Sequence, residues 1–217
     1  MANISASEKD GIKLYLMLME EAKIRLDAIN ITYKNEPLLP PGLVRELCYL
    51  QLRFLCEIVA LACLAAHGDV TKSKALRSTY EPGKILKQIE LLKAHFYPQP
   101  MDFDKTNGNT QMRSRPDRLH LTKKELPKLW ARSGAVLHRT PMAKLYAPPK
   151  QAPHDFSDVI DWAQKIVGLL NGHWITTMEN RRGLYVTLRS PDTPKAKISV
   201  LTFDHAGRSL HVGTYTL

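Results

Sequence analysis

The sequence predicts a mainly α-helical protein, a helical bundle of four to five helices with a small C-terminal three-stranded antiparallel β-meander. Two observations support this fold class. Apolar residues recur at three- and four-residue steps through most of residues 1–180, which is the period of an amphipathic helix. After Gly183 the apolar period changes to two, which is the period of a half-buried strand. We therefore expect residues 1–180 to form the bundle and residues 181–217 to form a meander that packs on it or on a dimer partner.

The composition is that of an ordinary globular protein, with 44% hydrophobic and 24% charged residues among 217. The first ten residues contain no apolar run behind a basic start, so we expect no secretory signal. The most apolar stretch, residues 55–66, is shorter than the roughly 20 residues that cross a hydrocarbon core. We expect no membrane association.

Two long helices are predicted first. Residues 7–33 carry one apolar face, and the prolines around position 40 then interrupt the helical pattern. A second helix is expected over residues 41–67, with Gly68 as its stop. Its second half is apolar nearly all round, and such a helix usually lies at the centre of a bundle, because only burial on several sides covers it.

Three cysteines lie along one face of the second helix, at Cys48, Cys56 and Cys63. A rigid helix holds them too far apart to form disulfides with one another, so we expect them to pack as small hydrophobic residues. An odd number of core cysteines is typical of a reducing compartment, and a cytoplasmic location is the expectation.

Three more helices complete the predicted bundle, over residues 82–97, 122–140 and 156–179. Thr122 and Glu125 have the spacing of a capping box at the start of the second of these helices. Pro127 follows too deep for the first turn of a helix that begins there, so we expect a kink or a restart.

The meander is predicted from alternation. Leu184, Val186 and Leu188 alternate with more polar residues, and turn residues at 190–192 and 204–207 separate three strands. Three strands alone are barely stable, so the meander must pack on the helices or on another subunit.

The net charge of +10 is concentrated in one stretch. Residues 105–150 contain eleven Lys and Arg against Asp117 and Glu125, which leaves +9 there. Residues 99–121, which overlap the start of this stretch, form a polar, basic segment without periodicity, and this segment is predicted to be a loop. A concentrated basic stretch fits a polyanionic partner, because each neutralised phosphate releases counterions. The alternative is a solvated loop that keeps the protein soluble.

The sequence lacks the motifs of several common classes of functional site. There is neither a GxxxxGK[ST] loop nor a GxGxxG loop to hold nucleotide phosphates. The eight histidines show no HxH or HxxxH spacing, and no nucleophile elbow is present. We expect no metal and no cofactor.

An Arg and a His six residues apart form the candidate catalytic pair, Arg132 and His138. A second pair, Arg115 and His120, lies upstream. A histidine can move the proton of the ribose 2′-hydroxyl or of the leaving group, and an arginine can stabilise the charge that grows on the phosphate. Such a pair could cleave RNA without a metal, since the 2′-hydroxyl is the nucleophile.

The segment with Arg132 and His138 resembles the HEPN superfamily, the helical-bundle domains of many prokaryotic RNA-cutting toxins and defence proteins. Their signature is an Arg, four to six intervening residues and a His, and in catalytic members two such motifs meet across a homodimer. The resemblance implies a metal-independent endoribonuclease in which Arg132 binds phosphate and His138 transfers protons. Ser133 stands where the family usually has Asn, Asp or His, and non-catalytic members are common.

Further basic residues of the stretch are predicted to bind nucleic acid, and they are Arg113, Arg115, Arg118, Lys123, Lys124, Lys128 and Arg139. RNA and a second copy of the chain are the expected partners. Trp130 either stacks on a base or packs in the core. The alternative function is a non-catalytic interaction or regulatory module, which binds nucleic acid or an acidic protein through residues 105–150.

Overall fold

The computed structural model describes residues 6–34, 38–67, 79–106, 109–138, 155–177, 182–189, 194–203 and 209–216. These residues form five helices, α1 (Ala6–Lys34), α2 (Pro41–Ala66), α3 (Pro82–Leu92), α4 (Leu126–Leu137) and α5 (Ser157–Leu170). They also form six strands, β1 (Gln99–Thr106), β2 (Asn109–Ser114), β3 (His173–Thr176), β4 (Arg182–Thr187), β5 (Lys197–Phe203) and β6 (Ser209–Thr216). The protein is mainly α-helical with a β part, as predicted.

The helix α2 is the centre of the helical part, and it contacts α1, α3, α4 and α5. Its side chains are buried on several sides because its C-terminal half is apolar nearly all round. By length and composition α2 could cross a membrane, and 61% of its apolar window is buried inside the protein. The predicted central position of this helix is confirmed.

The prediction of a three-stranded sheet was wrong. The six strands of the described residues form one antiparallel sheet in the order β2-β1-β3-β4-β5-β6. Three of these strands precede residue 181, and β1 and β2 lie in the segment predicted to be a loop. The hairpin signal was Asn107-Gly108, a favoured two-residue turn, and Thr106 pairs with Asn109 on either side of it.

Two helices end earlier than predicted. The helix α5 ends at Leu170, because Gly172 adopts a left-handed backbone with φ +87°, and β3 follows at once. His173 and Trp174, predicted to lie on that helix, are strand residues. The helix α3 ends at Leu92, four residues before the buried Phe96.

The strands and helices share one hydrophobic core. Ile175, Val186 and Ile198 of the sheet belong to the same cluster of buried side chains as α1 and α2. The sheet therefore buries a face against the helices, which supplies the packing that a small sheet needs.

Candidate nucleic-acid interface

The predicted capping box of Thr122 and Glu125 is present, and it lies in the turn that leads into α4. The Glu125 carboxylate accepts hydrogen bonds from the Thr122 backbone N–H (3.0 Å) and hydroxyl (2.8 Å), and the Glu125 N–H donates back to that hydroxyl. Lys165 of α5 donates to the same carboxylate at 2.6 Å. Burial alone would raise the pKa of Glu125, but these bonds from Lys165 and Thr122 lower it to about 2. Pro127 lies in the first turn, where a proline fits without a kink.

One face of α4 is exposed, and the flanking residues Lys124 and His138 extend this face. Each exposed side chain lies three or four residues from another, and they are Lys124, Lys128, Ala131, Arg132, Ala135 and His138. Residues with this spacing share a helix face. We call this set the α4 outer face. It carries three cations and an imidazole, and alanines separate Arg132 from His138.

Arg132 is anchored at one edge of this face. Its Nε donates to the Tyr49 hydroxyl at 2.8 Å, and its Nη2 donates to Asp158 Oδ2 at 2.8 Å. The Tyr49 hydroxyl donates to the same carboxylate oxygen at 2.6 Å, and Arg45 pairs with it as well. The Arg132 side chain remains 52% exposed, so its outer edge is open to a ligand.

These contacts determine the charge state of the cluster. Burial alone would raise the pKa of Asp158, but hydrogen bonds from Tyr49 and Arg45 hold it below its usual value. Burial and the bond to Asp158 raise the pKa of the Tyr49 hydroxyl. One carboxylate therefore faces two guanidinium groups, and the cluster of Arg45, Arg132 and Asp158 carries a net positive charge.

His138 lies at the other edge of the α4 outer face, next to a different arginine. A Cβ atom added to Gly134 would lie 2.8 Å from Arg53 Nη1 and 4.0 Å from His138 Cδ2. The guanidinium of Arg53 and the imidazole of His138 are therefore near neighbours, within about 7 Å of each other, because both lie close to that one point. The absence of a side chain on Gly134 leaves the space in which they approach.

Arg132 and His138 thus have different neighbours. Two residues that are six positions apart on a helix point in directions that differ by about 120°. The two side chains therefore lie at opposite edges of the exposed face. Arg132 contacts Tyr49 and Asp158, whereas His138 lies beside Gly134 and Arg53.

The other predicted basic residues divide into two groups. Lys124 and Lys128 belong to the α4 outer face, and Lys123 beside them pairs with Glu90. Arg115 and Arg118 instead pair with Asp102 at the base of the β1–β2 hairpin, where Arg118 also donates to the carbonyl oxygens of Asn171 and Gly172.

Of the remaining predicted residues, Arg113 is exposed at the end of β2 and Arg139 lies outside the described residues. Trp130 donates from Nε1 to Glu57 at 2.9 Å, and the Arg53 guanidinium lies 4.1 Å above its ring. Trp130 therefore packs between α2 and α4.

Of the residues that support this interface from α2, Arg45 and Tyr49 were not predicted, whereas the four-residue spacing of Arg53 and Glu57 indicated the ion pair that they form. Arg45, Tyr49, Arg53 and Glu57 follow one another at four-residue steps, so they form a polar stripe along one side of α2. The signal was present in the sequence as this spacing within an otherwise apolar helix.

No protein-family model, no curated protein and no solved structure matches this chain. The functional interpretation of this interface is therefore based on the positions and contacts of its residues.

Proposed function

We propose that this protein is a HEPN-like, RNA-directed protein of the toxin or defence type, which binds the ribose-phosphate backbone along the α4 outer face. The observation that supports this proposal is the row of exposed cations at Lys124, Lys128 and Arg132 with His138 at its end. Adjacent turns of a helix are about 5.4 Å apart, and a row of cations at that spacing can contact successive phosphates.

The charged residues of α2 that lie behind the α4 outer face also favour RNA as the partner. Arg45 and Arg53 of α2 stand behind the row, and the carboxylates of Asp158 and Glu57 are each shared with an arginine. Arginines held in this way present their remaining N–H groups in a fixed orientation, which suits the oxygens of a phosphodiester.

The sharper form of the proposal is metal-independent cleavage. His138 would accept the proton of a ribose 2′-hydroxyl as its oxygen forms a bond to phosphorus and the bond from phosphorus to the 5′-oxygen breaks. The leaving oxygen takes a proton from solvent, so the products are a 2′,3′-cyclic phosphate and a 5′-hydroxyl. Arg132 would hold the non-bridging oxygens with its exposed edge.

A second copy of the chain belongs to this proposal. Arg132 and His138 lie apart on one helix, and a homodimer that joins two α4 outer faces would bring the arginine of one copy to the histidine of the other. The assembly is tested by sedimentation of the protein at several concentrations with and without RNA. A monomer that cleaves RNA at every concentration would contradict the shared site.

The alternative function is a non-catalytic module that binds nucleic acid or an acidic protein. The pairing of Arg132 with Asp158 and Tyr49 favours it, because a guanidinium group that already shares its charge with a carboxylate stabilises less of the charge that grows on a phosphate during cleavage. Both functions use the same face, and cleavage alone separates them.

The first experiment measures cleavage. Purified protein is incubated with single-stranded RNA in EDTA, beside His138→Ala and Arg132→Ala. Endoribonuclease activity predicts 2′,3′-cyclic phosphate ends that fall by at least about a hundredfold in His138→Ala. Intact RNA with the unaltered protein would reject cleavage and leave the binding module.

The second experiment measures binding as a function of salt. Replacing Lys124 and Lys128 together by Ala should weaken RNA binding and lower the slope of log K against log salt by about 0.7 for each lost phosphate contact. Lys84→Ala is the matched control, since this lysine is 69% exposed on α3 and pairs with Glu81. Equal effects of the double variant and the control would refute the proposed face.

A further inference from the structure

A cleft of about 350 Å³ lies between two connecting segments of the chain. One wall is formed by residues 94–100, which lead from α3 into β1, and the other by residues between Ser114 and Lys123, which lead from β2 into α4. The two walls come from segments on either side of the β1–β2 hairpin. The cleft therefore lies where helices and sheet meet, a common position for ligand sites.

The polar groups of the cleft suit an anion. His95 stands on one wall, and His120 and Lys123 stand on the other. No Asp or Glu is among the described residues that line it. The Lys123 ammonium pairs with Glu90, which lies outside the cleft. The two side chains are 35% and 51% exposed, so this ion pair contributes little stability, and Lys123 can exchange Glu90 for a ligand at little cost.

His120 is held in a defined tautomer. Its Nδ1 lies 2.6 Å from the Arg118 carbonyl oxygen, which can only accept, so Nδ1 carries the hydrogen. The opposite nitrogen, Nε2, is left for a ligand, and it donates to a phosphate oxygen in the imidazolium form, in which both ring nitrogens carry hydrogen. The surrounding backbone is fixed as well, because the Leu121 N–H donates to the Lys165 carbonyl of α5 at 2.8 Å.

The remaining lining combines an apolar, rigid part with the polar residues Gln99, Ser114 and Thr122. Pro98, Pro100 and Pro116 contribute ring surfaces, and Tyr97 stands beside them with its hydroxyl donated to the Leu121 carbonyl at 3.0 Å. Proline rings have few conformations to lose on binding. A cleft with three cationic or imidazole groups and an apolar wall matches a ligand that has a phosphate and a flat or cyclic body.

We propose that this cleft binds a nucleotide through its phosphate ester, with His95, His120 and Lys123 on the phosphate and the proline wall against the sugar and base. Its volume lies in the range of small-ligand pockets. The ligand is either a free mononucleotide or the phosphorylated end of an RNA strand. This site goes beyond the α4 outer face, since it uses none of the side chains of that face.

The test follows the histidine ring resonances of the full chain by NMR during titration with adenosine monophosphate. The signals of His95 and His120 should move while that of the buried His173 stays. Adenosine without phosphate should bind at least about tenfold more weakly. His95→Gln and Lys123→Gln should each weaken binding several-fold, and Lys84→Gln is the matched control, since this lysine is exposed, pairs with Glu81 and lines neither site. His95 is exposed, so its replacement does not endanger folding.

A second titration distinguishes a free mononucleotide from the phosphorylated end of an RNA strand. Short RNAs with a 5′-phosphate, a 3′-phosphate or hydroxyl ends are titrated in the same way. Preference for one phosphorylated end over the mononucleotide identifies an RNA end as the ligand, and the reverse identifies a free nucleotide.

The proposal is overturned if adenosine binds as well as its monophosphate, or if millimolar monophosphate leaves the His95 and His120 signals in place. Failure here is distinct from failure of the α4 outer face. The Lys124→Ala, Lys128→Ala double variant should keep the response of the cleft to the nucleotide while losing affinity for RNA.

Discussion

The hydroxyl oxygen of Tyr15 in α1 lies 2.6 Å from Nε2 of His173 in β3, and both side chains are fully buried. The His173 Nδ1 lies 2.8 Å from the Leu170 carbonyl, so Nδ1 donates there and Nε2 accepts the proton of Tyr15. This bond joins the first helix to the sheet. It also requires a neutral imidazole, since a protonated Nε2 could not accept.

We predict that the free energy of unfolding falls as the pH is lowered through the range of this histidine. Burial lowers the pKa of His173 from 6.5 to about 4, so the unfolded chain binds a proton that the folded chain does not. The stability is full above about pH 6.5 and decreases towards pH 4, by at most about 3 kcal/mol. Denaturant titrations at several pH values measure it.

The control separates His173 from the buried His67, whose pKa is also lowered by burial. His173→Gln should lower stability at neutral pH and flatten the pH dependence by the contribution of this one residue. Tyr15→Phe should cost about 1–3 kcal/mol and keep most of the pH dependence, because burial is the main cause of the lowered pKa of His173. An unchanged pH profile in His173→Gln would contradict the assignment.

A second prediction concerns the close approach of the segment before α4 to α5. A Cβ atom on Gly168 would lie 1.9 Å from the Leu119 carbonyl oxygen, so Gly168→Ala must move backbone. We expect a loss of about 1–3 kcal/mol, as for other overpacked sites, and a shift of the His120 resonance. Thermal unfolding and NMR provide the two measurements.

Gly83→Ala is the matched control for this substitution. Its Cβ would lie 3.6 Å from Pro127 Cβ, an ordinary contact, within the first turn of α3. Alanine should leave stability unchanged or raise it by about 0.5–1 kcal/mol. Equal losses at both glycines would show that the contact at Leu119 is not the cause.

The third prediction is that all three thiols are unreactive in the folded protein. Burial raises the pKa of Cys48 to about 11, and it raises the pKa values of Cys56 and Cys63 further. The thiolate is the reactive form, so a disulfide reagent should label the thiols only as α2 opens. Rapid labelling of one thiol without denaturant would show that α2 is not the packed centre.

The fourth prediction uses the carboxylate beneath Arg132. Asp158→Asn keeps the shape of the side chain but removes the charge shared with Arg45 and Arg132. Stability should fall by about 1 kcal/mol, because Arg132 is half exposed. Affinity for RNA should rise with the released positive charge, as measured by fluorescence anisotropy at fixed salt.

The control for this variant is Asp161→Asn, which removes an equal charge from an exposed position of the same helix. It should change affinity less than Asp158→Asn. If both variants gain equally, the effect is one of net charge, and the contact with Arg132 carries no special role.

The long helices could be predicted from the sequence because their apolar period persists over many turns. The helix α1 ends within one residue of its prediction at each end, and α2 within one residue at its C-terminus. The β1–β2 hairpin could not be found by the same means, since its strands hold few apolar residues and only Asn107-Gly108 indicated the turn. The strand β3, with four residues, is too short to show a period.

The candidate interface was predictable in part. The spacing of Lys124, Lys128 and Arg132 already places them on one face of a helix. The neighbours of that face depend on packing between distant segments, and neither Asp158 under Arg132 nor Arg53 beside His138 follows from local sequence. The cleft of His95 and His120 likewise requires two connections that are far apart in the chain to meet.

The β1–β2 hairpin is attached to the rest of the sheet at one end only. Among the described residues β1 joins β3 through only Gln99 and Pro100, while its remaining length pairs with β2 alone. These two ladder positions, the hydrogen bond from the Met101 N–H to the Gly172 carbonyl and the Asp102 carboxylate with its two arginines attach the hairpin to the rest of the protein. Since Pro100 and Ser114 at the attached end also line the cleft, we expect movement of the hairpin to alter the width of the cleft and a ligand bound there to restrain the hairpin.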